Sequence, residues 1–500
     1  MTNRAKLIAV TLGVAILVGC GHMPTKPADG TAASSSGSTL DGTVQTRIGE
    51  LTFENGYPSN ESVEKLFDTM DFQRACQAYV WGLPMLATEA FVQSFKTDLG
   101  GEWGDLIEVT TFRDRSYGIT ANATTDYMFT WVNLAETGPV VIDVPAGLIA
   151  GFISDAWQRC PADLGVPGDF KGKGAKHLLL GPGQKVPADA QGYNVIRTEN
   201  NHNMILIRIV DPRPDVAARL REAFQIFNYA DIKNPGKTKI IPVGGRVWKT
   251  TQPEGFAYWT SMANLINKEP AEERDRLIYA TLATLGIEKG KPFAPTARQR
   301  KILEEAVVVG EALARANGFE TRHPDAEYVP NSQWDFPLVV GPTQRREHFD
   351  DLDGRAAWTY EALGISRGMT TTKVGVGSIY LGAYKSADGE WLDGSKHYTL
   401  HIPANPPAKN FWSVTLYHNL TRYLIQNRQQ VADRSSRGDI VKNADGSVDL
   451  YFGPTAPAGK EKNWIATNPG EGWFAYFRLY GPLQPYFDRS WVLPDIKKVR

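Results

Sequence analysis

The sequence predicts an α+β fold, mostly β, with two β-sandwich or jelly-roll-like domains separated by a helical middle segment. Three observations support this prediction: short apolar runs between turn clusters in residues 106–210, helical spacing of apolar residues in 214–318, and Asp-Gly turns after residue 374. A hydrophobic content of 42% over 500 residues is typical of a globular protein and excludes wholesale disorder.

The first nineteen residues have the parts of a secretory signal peptide. Two basic residues precede an apolar stretch over 7–18, which is too short for a bilayer crossing of about 20 residues. Residues 17–20, LVGC, resemble the bacterial lipobox, which implies cleavage before Cys20 and acylation of its thiol. The residue after Cys20 is Gly21, whereas an aspartate at this position would favour retention of the lipoprotein at the inner membrane. We therefore expect a lipid-anchored protein of the cell envelope, at the outer membrane; the alternative is an ordinary signal peptide with an incidental cysteine.

Residues 20–50 are predicted to be a flexible tether. Residues 21–44 are mostly small and polar, and few of them are hydrophobic. Such a stretch cannot bury enough surface to offset the entropy lost on ordering.

Residues 51–213 are predicted to form a β-rich domain that opens with a helix over 58–81. Gly82 and Pro84 are expected to end that helix. Strands are then expected over 127–134, 139–144, 177–180, 193–197 and 204–210.

Residues 214–340 are predicted to be the helical middle segment. One helix is expected after Asp215, and others over 255–267, 271–285 and 296–317.

Residues 341–500 are predicted to form the second sandwich. Asp-Gly pairs at 388–389, 393–394 and 445–446 are typical of hairpin turns. Residues 411–418 alternate as a strand, which puts Trp412 on one face and Tyr417 on the other.

Several motifs resemble two families of unknown function. In the N-terminal half, the matching motifs resemble domain-of-unknown-function family 1254; they are AYVWGLP at 78–84, GPVV at 138–141, WQR at 157–159 and LGPG at 180–183. In the C-terminal half, the motifs resemble family 1214; they are LDG at 392–394, LHIP at 400–403, NFWS at 410–413, NADGS at 443–447, EKNW at 461–464 and RLY at 478–480. The resemblance implies a two-part protein with a jelly-roll-like C-terminal part, and it implies no reaction.

The chain departs from the first family's pattern in one polar motif. Members often carry the segment TPNNDTxY, whereas residues 120–127 read TANATTDY. Asn122 and Tyr127 remain, the second amide and the carboxylate are replaced, and Asp126 stands two positions on. These three residues are candidates for a polar site.

Asp155, Trp157 and Arg159 form a second candidate site at the end of an apolar run. A carboxylate in an aromatic pocket can have a raised pKa and act as a general acid. The alternative is a structural ion pair with Arg159 that fixes the end of a strand.

The sequence carries no motif for a metal, a cofactor or nucleic acid. His397 and His401 are four apart on a predicted strand, so their Cα atoms lie roughly 13 Å apart, too far for one ion. HExxH, CxxC, Walker and GxSxG motifs are absent from the sequence. With 54 basic and 55 acidic residues, the net charge of -1 argues against nucleic-acid binding.

Cys76 and Cys160 are the cysteines left after Cys20. In an oxidising periplasm they could form a disulfide. The alternative is two buried thiols that pack as small hydrophobic side chains.

The aromatic residues of a C-terminal strand indicate which class of ligand to expect. The predicted strand over 411–418 carries aromatic side chains on both faces, including Trp412 and Tyr417. The second face either forms a groove for a carbohydrate or apolar small molecule or is covered by the helical segment. We therefore expect a binding or assembly protein, with self-association left open; the alternative is an envelope hydrolase of a glycan or ester that uses Asp155 or Asp126.

Overall fold

The structure, a computed structural model, describes residues 41–499. The predicted signal peptide, the acylation site Cys20 and most of the predicted tether lie outside this range. The fold is α+β, with 27% helix and 26% strand, so the sequence prediction of its class is confirmed. Within residues 41–499, none of the helices combines the length and the apolar character needed to cross a membrane. The chain divides after Lys65 into two compact units.

The first unit contains a small antiparallel sheet that the sequence did not predict. Its strands, with the helix that follows, are β1 (Gly42–Thr46), β2 (Gly49–Glu54), β3 (Tyr57–Pro58) and α1 (Asn60–Thr97). The prediction of a tether up to residue 50 is therefore wrong for residues 42–50. They are ordered because β1 pairs along its whole length with β2, where Leu51 and Phe53 alternate with exposed residues.

Helix α1 continues past Gly82 and Pro84, where the sequence predicted its end. Proline removes one backbone donor from the helix. Side chains compensate by donating to two carbonyls before the proline and to its own carbonyl: Tyr258 Oη to Tyr79 O at 2.6 Å, Arg355 to Trp81 O at 2.7 Å and Gln158 to Pro84 O at 3.1 Å. Long-range contacts therefore override the local stop signal.

After α1, the second unit contains a β-sandwich. This sandwich includes strands at Gln225–Asn228 and Ile240–Pro242, so the prediction of a helical segment from residue 214 is wrong for these residues. Its elements are β4 (Leu106–Val109), α2 (Phe112–Arg115), β5 (Tyr127–Asn133), α3 (Leu134–Thr137), β6 (Val140–Val144), β7 (Ile149–Asp155), β8 (Ala162–Gly165), β9 (Ala175–Leu180), β10 (Asn194–Arg197), β11 (His202–Ile209), α4 (Pro214–Ala223), β12 (Gln225–Asn228) and β13 (Ile240–Pro242). One sheet has the order β10-β9-β6-β12 and the other β13-β4-β5-β11-β7-β8. Apolar side chains of both sheets share one core, among them Met128, Ile142 and Ile205.

The helical middle segment contains α5 (Ala257–Lys268), α6 (Arg276–Thr284) and α7 (Ala297–Phe319). Thr296 caps α7 through a capping box with Gln299. The helices pack on α1 through aromatic contacts; the rings of Tyr79 and Tyr258 stack with their centres 4.0 Å apart.

The second sandwich follows, with one further helix at its start. Its elements are β14 (Trp334–Asp335), α8 (Leu352–Glu361), β15 (Ser378–Ala383), β16 (Tyr398–Ile402), β17 (Ala408–His418), β18 (Asp433–Ser435), β19 (Val448–Gly453), β20 (Trp464–Ala466), β21 (Trp473–Pro482), α9 (Gln484–Phe487) and β22 (Lys497–Lys498). The sheets have the orders β14-β15-β21-β17-β18 and β20-β19-β16-β22. Two predicted turn glycines, Gly389 and Gly446, have the positive φ that hairpin turns favour.

Cys76 and Cys160 are free thiols, so the disulfide considered from the sequence is not formed. The two residues lie in different hydrophobic clusters, Cys76 with the helices and Cys160 with the aromatic residues beside the first sandwich. Burial raises the pKa of the Cys76 thiol to about 11, which keeps that thiol protonated and unreactive at neutral pH.

Candidate functional site

A partly open cavity lies between the first and second sandwiches, within the second unit. Its volume is about 90 Å³, and we call it the inner cavity. Most of its wall is apolar and aromatic, with side chains that include Phe91, Val109, Phe129, Leu206, Trp248 and Met369. Its polar wall includes Arg115, Asn122, Tyr127, Arg208, Glu361 and Arg478. Two of the ligand-binding candidates from the sequence, Asn122 and Tyr127, are therefore cavity residues.

Residues 118–122 line the cavity where the sandwiches meet, and the segment 118–126 that contains them has no helix or strand. Two side chains of the second sandwich donate to carbonyls of this segment. Arg478 donates to Thr120 O at 3.0 Å, and Tyr417 Oη donates to Ala121 O at 2.8 Å and lies 3.2 Å from Thr120 O. The buried backbone of this segment is thus paired without a β ladder.

Thr120 holds an unusual backbone conformation at the centre of this segment. Its φ is 42°, in the left-handed region that β-branched residues rarely adopt. Its remaining polar groups are also bonded, since its amide donates to Arg422 O at 2.8 Å and its hydroxyl to Glu361 O at 2.6 Å. The surrounding contacts hold the strained residue in place, a pattern that occurs often at functional sites.

Asn122 acts as a connector between the two sandwiches. Its side-chain amide donates to Tyr480 Oη, its backbone N–H donates to Tyr127 Oη at 2.9 Å, and its side-chain oxygen accepts from Thr124 N at 2.6 Å. Asp126 forms an ion pair with Arg115 and is not part of the cavity wall. In the motif at 120–127, then, Asn122 has a structural role, and Asp126 balances a cation.

Trp412 and Tyr417 lie on opposite faces of β17, as predicted. Trp412 packs inside the second sandwich against Phe477, with ring centres 6.1 Å apart. Tyr417 faces residues 118–126. The second aromatic face of β17 is neither the predicted groove nor covered by the helical segment. Residues 118–126, which belong to the first sandwich region, cover much of this face, and the inner cavity lies beside it.

A larger cleft adjoins the inner cavity. Its volume is about 620 Å³, and we call it the outer cleft. Phe152, Leu206 and Arg208 line both spaces. These three side chains, from the adjacent strands β7 and β11, therefore form the partition between them.

Asp155 and Arg159 lie elsewhere, in a separate cleft that neither Asn122 nor Tyr127 lines. Asp155 accepts hydrogen bonds from the backbone N–H groups of Trp157 and Arg159, each at 2.9 Å, and from Arg159 Nε at 2.6 Å. Arg159 also pairs with Glu272 at 2.6 Å. Burial raises the pKa of Asp155 and the charge of Arg159 opposes that effect, but both oxygens are occupied, as in a structural ion pair.

Trp157 is part of the hydrophobic core of the helices and lines neither the inner cavity nor the outer cleft. Its ring centre lies 4.7 Å from that of Trp81, and the guanidinium of Arg355 lies 4.8 Å above it. The four residues Asn122, Tyr127, Asp155 and Trp157 therefore do not converge on one pocket.

The three arginines of the inner cavity were not predicted as site residues from the sequence, although Arg478 stands in the RLY motif at 478–480. Arg115 and Arg208 come from the first sandwich region and Arg478 from the second. An arginine between apolar residues of a strand, as in LIRI at 206–209 and FRLY at 477–480, was a visible signal. Such a strand buries a charge on one face, which requires a partner.

Two family models match the chain in the expected N- to C-terminal order, and the motif at 78–84 lies outside the first match. Residues 107–227 match the model described as "Protein of unknown function (DUF1254)", and residues 377–484 match "Protein of unknown function (DUF1214)". The chain contains both of these family regions. The DUF1254 region contributes Asn122, Tyr127 and Arg208 to the inner cavity, and the DUF1214 region contributes Arg478.

Solved structures of similar fold exist, and their names assign no activity. The VPA0106 protein from Vibrio parahaemolyticus shares 18% identity at a TM-score of 0.55, over 86% of this chain and 100% of its own. An uncharacterised protein from Burkholderia cenocepacia shares 12% identity at a TM-score of 0.39, over 88% of this chain and 96% of its own. No curated protein matches the chain. The first likeness shows a common fold and nothing about function.

Substituting Tyr417→Phe tests the junction between the DUF1254 and DUF1214 regions. The change removes the donor to Ala121 O and leaves that carbonyl without this partner. We expect a loss of about 1–3 kcal/mol in the free energy of unfolding, measured by urea titration.

Tyr423→Phe is the matched control, because the Tyr423 hydroxyl makes no hydrogen bond to another of residues 41–499. Its free energy of unfolding should stay within about 0.5 kcal/mol of the wild type. Equal stability of both variants would contradict the assigned contact.

Proposed function

We propose that this protein is a lipid-anchored protein of the cell envelope that binds a small, largely apolar molecule in the inner cavity. The observation that carries the proposal is a mainly apolar cavity with a few convergent polar groups, lined by both family regions. This combination is typical of small-molecule sites.

The apolar wall is built from packed aromatic rings. The ring centre of Phe129 lies 4.8 Å from that of Phe91 and 5.5 Å from that of Trp248. Such rings hold their positions without polar partners and offer contact area at small entropic cost. A void against apolar side chains lowers stability, so an apolar ligand that fills it gains free energy from dispersion contacts.

The proposed anchor is the acylated thiol of Cys20, and the proposed location is the outer membrane. The lipobox-like residues 17–20 and the following Gly21 support this part of the proposal. The carbohydrate ligand and the hydrolase alternative stay predictions from the sequence. Asp155 and Asn122 line different spaces, which does not favour a shared hydrolytic centre.

A neutral fluorescent probe tests the cavity. N-phenyl-1-naphthylamine fluoresces in apolar surroundings, and we expect saturable binding to one site. Leu206 lies in the partition between the two spaces. Leu206→Trp fills space there and should weaken binding by about 5- to 150-fold, the factor that corresponds to about 1–3 kcal/mol of overpacking.

The matched control is Leu277→Trp, the same substitution at a leucine that is 76% exposed on α6. Its affinity should equal that of the wild type. A thermal unfolding curve of each variant shows that it is folded. Probe binding that is non-saturable, or unaffected by Leu206→Trp in a folded variant, would contradict the proposal.

Metabolic labelling tests the anchor. In a bacterium that expresses the full chain and is fed an alkyne analogue of palmitate, the protein should incorporate the label through Cys20. Cys20→Ala should abolish labelling, and Cys76→Ala, which changes a buried free thiol, should retain it. An unlabelled wild-type protein with an intact Met1 would contradict the anchor.

A further inference from the structure

The wall of the inner cavity carries more positive than negative charge. Its lining contains three arginines, Arg115, Arg208 and Arg478, against one carboxylate, Glu361. Glu361 is already paired with Arg422. None of the three arginines of the wall pairs with this carboxylate.

Two of these arginines have protein partners. Arg115 pairs with Asp126 and donates to Ala123 O at 3.0 Å, while its Nε is buried without a partner. Arg478 donates to Thr415 Oγ1 and Thr120 O, each at 3.0 Å, and both acceptors are neutral.

Arg208 is different, because its guanidinium forms no hydrogen bond or ion pair with any other of residues 41–499. The guanidinium lies over the ring of Tyr127, whose centre is 5.9 Å from Arg208 Cζ. Arg478 adds a like charge nearby. The carboxylate of Asp433 interacts electrostatically with Arg478 and Arg115, but Asp433 lines neither the inner cavity nor the outer cleft.

The outer cleft repeats this charge pattern. Its wall contains Arg208, Lys409 and Arg437, and it contains no Asp or Glu. Exposed apolar side chains, Leu148 and Val376, lie in the same wall. The outer cleft therefore combines an apolar surface with a positive electrostatic potential. This combination attracts and orients amphipathic anions.

We propose that the site selects an organic carboxylate with an apolar tail, whose carboxylate binds Arg208 while the tail occupies the apolar inner cavity. This inference rests on the proposed function and adds the ligand class. A guanidinium binds a carboxylate through two parallel hydrogen bonds. Such a ligand would supply the partner that the protein does not give Arg208.

Octanoate and 1-octanol form a matched pair of probes, since they differ in the charged group and share the tail length. Isothermal titration calorimetry with the full chain should show octanoate binding at least about tenfold more tightly than 1-octanol, the size expected for a hydrogen-bonded charge pair. Arg208→Gln should weaken octanoate binding by at least the same factor and leave 1-octanol binding within about twofold.

Two further variants separate charge from folding. Arg208→Lys keeps the charge without the planar pair of donors, so its octanoate affinity should fall between those of the wild type and Arg208→Gln. Arg219→Gln, at an exposed arginine paired with Asp215 on α4, should change neither affinity.

The outcomes distinguish the two proposals. Equal affinities for octanoate and 1-octanol, or an octanoate preference that survives Arg208→Gln, would overturn the carboxylate site and leave the proposed function standing. Failure of both probes to bind would overturn the proposed function and this inference with it. Retained 1-octanol binding by Arg208→Gln shows that this variant is folded.

Discussion

The hydrogen bonds that Arg478 and Tyr417 donate to the carbonyls of Thr120 and Ala121 are the contacts on which the rest of the site depends. Residues 118–126 have no regular secondary structure and are largely buried. A buried backbone must find partners for its polar groups. Tyr417 on β17 and Arg478 on β21 donate such hydrogen bonds from one face of the second sandwich. Polar groups of the two sandwiches therefore pair with each other at the junction.

The cavity and its charge follow from this junction. A guanidinium used as a donor to backbone carbonyls brings a positive charge into the interface without a carboxylate. Burial raises the pKa of the Tyr417 phenol, against the opposing charge of Arg478, so the hydroxyl remains a donor at neutral pH. The junction is rigid and polar where the sandwiches touch, and apolar where the inner cavity separates them. A ligand with one charged end and one apolar end matches both parts.

Local patterns in the sequence predicted much of the fold and part of the site. Continuous apolar runs predicted several of the strands, among them β6 and β11, because strands covered on both faces need no alternation. The helix across Pro84 could not be predicted, since the side chains that stabilise it come from residues such as Tyr258 and Arg355. The same limit applies to the site. Motif likeness pointed to Asn122 and Tyr127, whereas Arg478 contacts Thr120 across 358 residues of sequence.

Hydrogen–deuterium exchange of the segment 118–126 shows whether the junction between the sandwiches is closed in solution. The amides of Ile119, Thr120 and Asn122 donate to Thr250 Oγ1, Arg422 O and Tyr127 Oη. We expect these amides to exchange as slowly as those of strand β17, because they are bonded inside the junction. Exchange as fast as that of the exposed loop residues Gly236 and Lys237 would contradict this expectation.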